Sequence, residues 1–481
     1  MGQRLGEGGG VISSFWFRCA ALAVTTCWAG CAQAGEGGLC RVRVVEDGTG
    51  WPVPLVELRT THQASFFTDN DGVVAVDLPE LMGRATWFEV RADGYEIAAD
   101  GFGYRGVRLM LVEGGDLEVR VRRTGLASLV GRLTGAGLLA ESQRFRENSG
   151  WMESGVLGCD SVQCAEYRGR MFWVWGDTTL AHYPLGIFDA TGATSLIPRE
   201  GQLLPPLRLA LEHFRDEGGG VRAVARMPGD GPTWLSGLVA LRDARDVERL
   251  ASMYTKIRPP MEAYEIGLCE WDPAVEEFCP TRVVWRQVDG GPRPELLPDG
   301  HAVRWVDKAG DEWVLFGNPF PMLRVRASFE AWEDPGQWQR LVPQREVEGL
   351  EQRVTVEPHS GSIAWNAYRK RWVAVFTERF GKPSAFGEVW YAEADKPEGP
   401  WGRAVKVLSH RNYTFYNPRQ HPEFSLAGSS VLFFEGTYSQ MFADRPEPTP
   451  RYDYNQLLYR LDLDELVRVE AERGHGQLDR D

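Results

Sequence analysis

Long apolar runs are missing from this 481-residue chain. No window holds 18 consecutive apolar residues, so no membrane-spanning helix is expected. Positive charge is in deficit: 53 Lys and Arg stand against 67 Asp and Glu, for a net charge of -14. Such a surface repels phosphate backbones and argues against a nucleic-acid partner. Transition-metal spacing is absent too, with neither H-x-x-x-H nor a zinc-type cysteine pair. There is no G-x-S-x-G, which removes the usual signature of a serine nucleophile. Gly218-Gly219-Gly220 is a loop rather than a phosphate-binding turn.

What is present is aromatic and turn-forming. The chain has 18 Trp, 14 Tyr and 22 Phe, with 54 Gly and 29 Pro. Short aromatic strands between Gly and Pro turns imply an all-β protein, and the length implies more than one core. At the N-terminus, Arg4 and Arg18 precede the small apolar stretch Cys19 to Ala29, and Ala32-Gln33-Ala34 supplies an A-x-A site. Residues 1–34 therefore read as a signal peptide. A lipoprotein signal with Cys31 as the modified residue is the alternative. Either makes the chain an exported one: periplasmic, extracellular or lipid-anchored. Export permits disulfides, with Cys159–Cys164 and Cys269–Cys279 as candidate pairs.

Residues 38–122 carry short alternating strands such as Cys40 to Val45, Val53 to Leu58 and Val73 to Asp77. A small β-sandwich is expected. Asp69, Asn70 and Asp71 are candidate calcium ligands, but a hairpin turn closed by Gly72 is the preferred reading. The run "VRVVEDGTGWPVPLVELRTT…FFTDNDGVVAVDLPE" resembles carboxypeptidase-regulatory-like modules of transthyretin type. Residues 123–150 read as a connector in which Leu126 to Leu139 forms a short helix or a strand.

Residues 151–468 contain a weak repeat. A charged or Gly-containing turn leads into an aromatic-aliphatic strand at Trp173, Trp234, Trp313, Trp372 and Leu432, at intervals of 61, 79, 59 and 60 residues. That period suits a four-stranded blade with long loops, so a five-bladed β-propeller is expected. Residues 469–481 are charged and read as a disordered tail.

Two carboxylates stand out. Asp160 opens a strand-turn unit, and Asp177 ends the apolar run Met171 to Trp175, so a hairpin would bring them together. Paired carboxylates provide the acid and the base or nucleophile of glycoside hydrolysis. Turn-capping is the plainer role for each. Aromatic and polar residues crowd the C-terminal part, where Tyr416, Asn417, His421, Glu435 and Tyr454 have the mix found in sugar subsites. Trp175, Glu270, His359, Asn366 and Glu388 join them as candidate substrate-binding residues. No cofactor is required, and a structural calcium held by scattered oxygens remains open.

Asp160 followed by Gly176-Asp177-Thr178, in "CDSVQCAEYRGRMFWVWGDTT", resembles the opening blade of the endo-D-arabinanase propeller family. More broadly the chain resembles five-bladed arabinanase and β-xylosidase-like glycosidases. The resemblance implies a five-bladed propeller and hydrolysis of furanosidic bonds by Asp160 and Asp177. The blade-separated Asp, Asp and Glu trio of the arabinanase and xylosidase enzymes has no matching motif here. The expected function is a secreted glycoside hydrolase acting on a polysaccharide or oligosaccharide. The alternative is a non-catalytic glycan-binding or cell-surface scaffold protein.

Overall fold

The computed structural model describes residues 38–135, 140–146, 154–350, 354–444 and 447–468. The leader, the tail and part of the 123–150 stretch lie outside these. The protein is all-β, with helix confined to short segments such as Phe329–Glu333. Among the described residues, no helix is long and apolar enough to cross a membrane.

The first two sheets are four-stranded. One orders Val73–Val76, Cys40–Glu46, Asp116–Arg123 and Tyr95–Glu96, and the other Ser65–Phe67, Glu57–Thr60, Arg84–Arg91 and Gly106–Leu111. Alternation in the strands decides the arrangement. Val42, Val44, Val119 and Val121 from one sheet and Leu58, Phe88, Val90 and Leu109 from the other share a single apolar core. The Asp69 turn is tight but is not a hairpin, since Ser65–Phe67 and Val73–Val76 on either side of it lie in different sheets; Asp69 Oδ1 accepts from the amides of Asp71 at 2.9 Å and Val73 at 3.1 Å. Gly72 sits at φ +67°, and a Cβ there would meet the Val44 carbonyl at 2.5 Å, so the turn needs glycine.

Five further four-stranded antiparallel sheets follow. Their first strands are Gln163–Tyr167, Thr233–Arg242, His301–Val306, Pro358–Asn366 and Thr414–Gln420. Trp173, Trp234, Trp313, Trp372 and Leu432 each lie in a different one. Each first strand contacts the first strand of the next sheet. The succession returns on itself: from Thr414–Gln420, Arg419 Nη2 donates to the Cys164 carbonyl at 2.8 Å. The fifth sheet is completed from outside its sequence neighbourhood. Ala127–Arg132 pairs antiparallel with Asn455–Asp462, so this part of the 123–150 stretch is a strand and belongs to the fifth sheet.

Buried aromatic and aliphatic side chains fill the spaces between sheets, with Trp173 and Trp175 at 1 % exposure. Each such side chain contributes roughly 1.5–3 kcal/mol relative to exposure. The five cysteines of the described residues are free, so neither expected disulfide forms. The thiols have other neighbours: Cys269 Sγ donates to the Ser252 carbonyl at 3.2 Å, and Cys164 Sγ lies 3.8 Å from His421 Nδ1.

Candidate active site

A small extra sheet sits ahead of the first of the five. It orders Val156–Cys159, Thr178–Leu180 and Tyr183–Ile187, with Cys159 opposite Thr178. The pairing continues one residue further. The Asp160 amide donates to the Asp177 carbonyl at 3.2 Å, and the Gly176 amide donates to the Asp160 carbonyl at 2.9 Å. Asp160 thus meets Gly176 and Asp177 together where the two strands end, which brings the two Asp residues side by side.

Both carboxyls are half-buried, and among the described residues neither has a Lys, Arg or His partner. Tyr416 Oη donates to Asp160 Oδ2 at 2.8 Å, and the Tyr454 phenol near by also favours the ionised carboxyl. Asp160 Oδ1 is shielded from solvent and has no hydrogen-bond partner. Trp234 Nε1 donates to Asp177 Oδ1 at 3.2 Å and to the Phe188 carbonyl at 3.1 Å. Burial pushes Asp160 above the ordinary carboxylate range, against the two phenol donors. Burial and the Asp160 charge push Asp177 up to about 7, against its bond from Trp234, with Asp189 adding a further like charge.

The surroundings are fixed by the backbone. Ser161, Asn417 and Tyr454 all sit in the left-handed region, at φ 51°, 50° and 59°. Residues other than glycine hold that conformation only where the surroundings impose it. Here Asn417 Nδ2 donates to Ser161 Oγ at 2.9 Å, and the Asn417 amide donates to Ser360 Oγ at 3.1 Å.

A second polar cluster lies among buried side chains near by. His421 Nε2 is 2.7 Å from Glu435 Oε1, and His421 Nδ1 is 3.0 Å from Glu423 Oε1. Arg419 Nη1 donates to Glu423 Oε1 at 3.0 Å. Burial opposes charge on His421, but Cys164, Glu423 and Glu435 outweigh it and hold the imidazole well above its ordinary pKa. Burial likewise opposes ionisation of Glu423, and Arg419 and His421 outweigh it to hold the carboxyl at about 2. Cys164, His421 and Glu423 lie close enough to hold a metal ion. The Arg419 guanidinium, 3.1 Å from His421 Nδ1, already supplies the cation these groups face.

The sequence candidates therefore divide. Asp160, Asp177, Tyr416, Asn417 and Tyr454 come together, and His421 and Glu435 form the buried cluster beside them. Other candidates are placed elsewhere. Trp175 is buried, stacked on Trp173 with centroids 6.1 Å apart, and offers no face to a ligand. Glu270 pairs with Arg249 at 3.1 Å on the third strand of its sheet. Glu388 is fully buried with Lys406 at 2.7 Å and Ser409 at 2.8 Å, both from the adjoining strand. His359 and Asn366 lie near opposite ends of the strand Pro358–Asn366, and Asn366 Oδ1 accepts from the Arg369 amide in a turn. Seven residue steps of strand separate those two by about 23 Å, and His359 is the one at the end near the site, next to Ser360, whose Oγ accepts from the Asn417 amide.

Trp234 was marked by sequence only as a strand signature, yet it bonds Asp177. Asp189 was not singled out; its Oδ1 accepts from the Thr233 amide at 2.6 Å, one residue from Trp234. The signal available for Trp234 was its place at a strand start, directly after the turn Gly229 to Pro232.

No protein-family model and no curated protein matches this chain. Several solved structures are similar at low identity. An exo-1,5-α-L-arabinanase from a bovine ruminal metagenomic library is 12% identical with TM-score 0.36, covering 64% of this chain and 95% of that one. An α-L-arabinofuranosidase from Clostridium thermocellum is 13% identical with TM-score 0.37, covering 66% and 92%. An exo-β-1,3-galactanase from Phanerochaete chrysosporium is 10% identical with TM-score 0.37, covering 64% and 63%. All three TM-scores fall below 0.5, and the functional assignment stands on the chain's own residues.

Proposed function

We propose that this chain is an exported glycoside hydrolase whose five consecutive sheets are the blades of a propeller, preceded by a transthyretin-like sandwich. The observation that carries the activity is the adjoining pair Asp160 and Asp177, both raised in pKa and, among the described residues, with no cation beside them. Two carboxyls so close do not both ionise readily, so the pair retains one proton near neutral pH. Asp177, at about 7, carries it and protonates the leaving glycosidic oxygen. Asp160 acts as the carboxylate, its Oδ2 held by the Tyr416 phenol. Asp160 then attacks the anomeric carbon as the oxygen departs, and Asp177, now ionised, draws a proton from the water that releases the sugar. The indole of Trp234, with the exposed rings of Tyr183 and Phe188 on the flanking segment, provides apolar surface for a sugar face. A furanosidic substrate is the reading that the Gly176-Asp177-Thr178 resemblance supports.

The test is a glycan panel with product analysis on the wild-type protein and on Asp160→Asn and Asp177→Asn. Turnover is expected on a polysaccharide or oligosaccharide and lost in both variants, with Asp177→Asn keeping more activity on aryl glycosides that need no proton to leave. Binding to a glycan without cleavage in the wild type would favour a glycan-binding protein instead.

A further inference from the structure

The segment 451–455 ties the proposed site to the N-terminal sheets. Tyr452 is buried at 1 % exposure. Its hydroxyl donates to the Thr68 carbonyl and accepts from the Leu55 amide at 3.2 Å, both in segments that connect strands of the N-terminal sheets. The next residue of the Thr68 turn but one, Asn70, grips the strand Ala127–Arg132. Asn70 Nδ2 donates to the Arg132 carbonyl at 3.0 Å, and the Arg132 amide returns a bond to Asn70 Oδ1 at 2.8 Å. The Arg132 guanidinium lies 5.2 Å from the Tyr452 ring centre and donates to the Arg451 carbonyl. Arg451 in turn pairs with Glu141, whose Oε2 accepts from the Ala75 amide at 2.9 Å.

Two residues beyond Tyr452 the chain reaches the site. Tyr454 is left-handed at φ 59°, and its phenol lies close enough to Asp160 to favour the ionised carboxyl. Its carbonyl presses on Gly158, two residues before Asp160, where a Cβ would meet that oxygen at 2.2 Å. Asn455 Oδ1 accepts from Thr134 Oγ1 at 2.9 Å, which fixes the far side of the segment. A segment held at both ends, with a residue in the left-handed region between, has little freedom to relocate its phenol.

We infer that the N-terminal sheets are part of the catalytic apparatus, because their Thr68–Gly72 turn anchors Tyr452 and Arg132 and thereby sets Tyr454 against Asp160. The inference rests on the reading of Asp160 and Asp177 as the reacting carboxylates. Tyr452 and Asn70 are positioning residues, since neither touches Asp160. The described residues from Gly38 onward also fall within one compact unit, which agrees with a shared role rather than a tethered appendage.

The experiment compares full-length wild type with Tyr452→Phe, Asn70→Ala and, as reference, Tyr454→Phe. The phenols of Tyr416 and Tyr454 favour the ionised form of Asp160, while Asp177 across the strand pair disfavours it. Loosening Tyr454 therefore raises the Asp160 pKa and moves the acid limb of the pH–rate profile upward. Tyr452→Phe and Asn70→Ala are expected to shift that limb in the direction of Tyr454→Phe. They should also lower kcat by about tenfold or more, as misplacement near reacting atoms does, with KM little changed. A folded Tyr452→Phe or Asn70→Ala with wild-type kcat and acid limb would overturn the inference. Where Tyr452→Phe does not fold, Asn70→Ala carries the comparison. Absence of any glycan turnover in the wild type would sink the hydrolase reading but still leave a decision here. The Asp160 carboxyl band is then titrated by difference infrared spectroscopy against Asp160→Asn. An unchanged midpoint in Asn70→Ala overturns the inference, and a raised midpoint supports it.

Discussion

Asp160 and Asp177 face each other across a strand pair, the amide of one bonded to the carbonyl of the other at 3.2 Å. Like charges side by side on strands are destabilising, and among the described residues neither is offset by Lys or Arg. The groups around Asp177 are Asp160, Asp189 and Tyr454, with the neutral indole of Trp234. A fold tolerates such an arrangement most easily where one carboxyl keeps its proton.

Turnover should accordingly fall as pH rises through about 7, because Asp177 then loses the proton it delivers. The kcat/KM profile on a glycan with an unactivated leaving group would carry that basic limb. The Asp177→Asn variant should lack the limb and retain only a small fraction of activity, with loss of roughly 10²–10⁴-fold. A basic limb that persists unchanged in Asp177→Asn assigns it to another group.

Stability should move in the opposite sense to the substitution's effect on activity. Asp177 binds its proton more tightly in the folded chain than its ordinary value of 3.8 allows in the unfolded one. Between about pH 4 and 7 the folded state thus holds more protons, and stability declines as pH rises through that window. Asp177→Asn removes the cost of ionising the group in place. Its melting temperature should exceed that of the wild type at pH 8 and differ little at pH 4.5, as scanning calorimetry at both pH values would show. A lower melting temperature at pH 8 would mean that the carboxylate is a structural cap.

Much of the strand pattern was legible because it is local. A charged turn followed by Trp173, Trp313 or Trp372 in an aliphatic run specifies a strand without reference to the rest of the chain. Tyr416, Asn417 and Tyr454 were legible as a group because polar aromatics are dense there. What sequence could not show is which distant residue meets a buried carboxylate. Glu388 and Glu435 both occupy fully buried positions on strands, but Glu388 meets Lys406 across one sheet and Glu435 meets His421. Trp175 was read as a stacking surface, yet it shares a buried face with Trp173, two residues earlier. Ala127–Arg132 completes a sheet whose other strands begin at Thr414, a pairing that no local pattern announces.

Gly176 should tolerate no side chain. A Cβ there would meet Asp160 Oδ1 at 2.3 Å, and the carboxyl cannot swing away freely because Tyr416 holds Oδ2 at 2.8 Å. Gly176→Ala should fold with a loss of about 1–3 kcal/mol from overpacking. Activity should fall by more than tenfold, since the displaced group is the reacting one. Urea unfolding and turnover on one preparation separate the two effects. Wild-type activity in this variant would show that Asp160 need not stay where the structure places it.

The buried cluster makes a prediction about charge balance. Arg419 and a protonated His421 face the two carboxylates Glu423 and Glu435, so the four groups sum to neutrality. Glu435→Gln leaves two cations against one anion, with His421 at 0 % exposure and its Nε2 facing an amide instead of a carboxylate. Breaking a buried pair in this way costs about 3–5 kcal/mol, because the remaining charge has no solvent to turn to. His421→Gln makes the converse error and leaves two anions against Arg419. The double variant keeps the Arg419–Glu423 pair, which is balanced by itself. Its loss should therefore be clearly smaller than the sum of the two single losses, a coupling that the double-mutant cycle measures directly. Strict additivity would mean that His421 is neutral and that its 2.7 Å contact with Glu435 is an ordinary hydrogen bond rather than an ion pair.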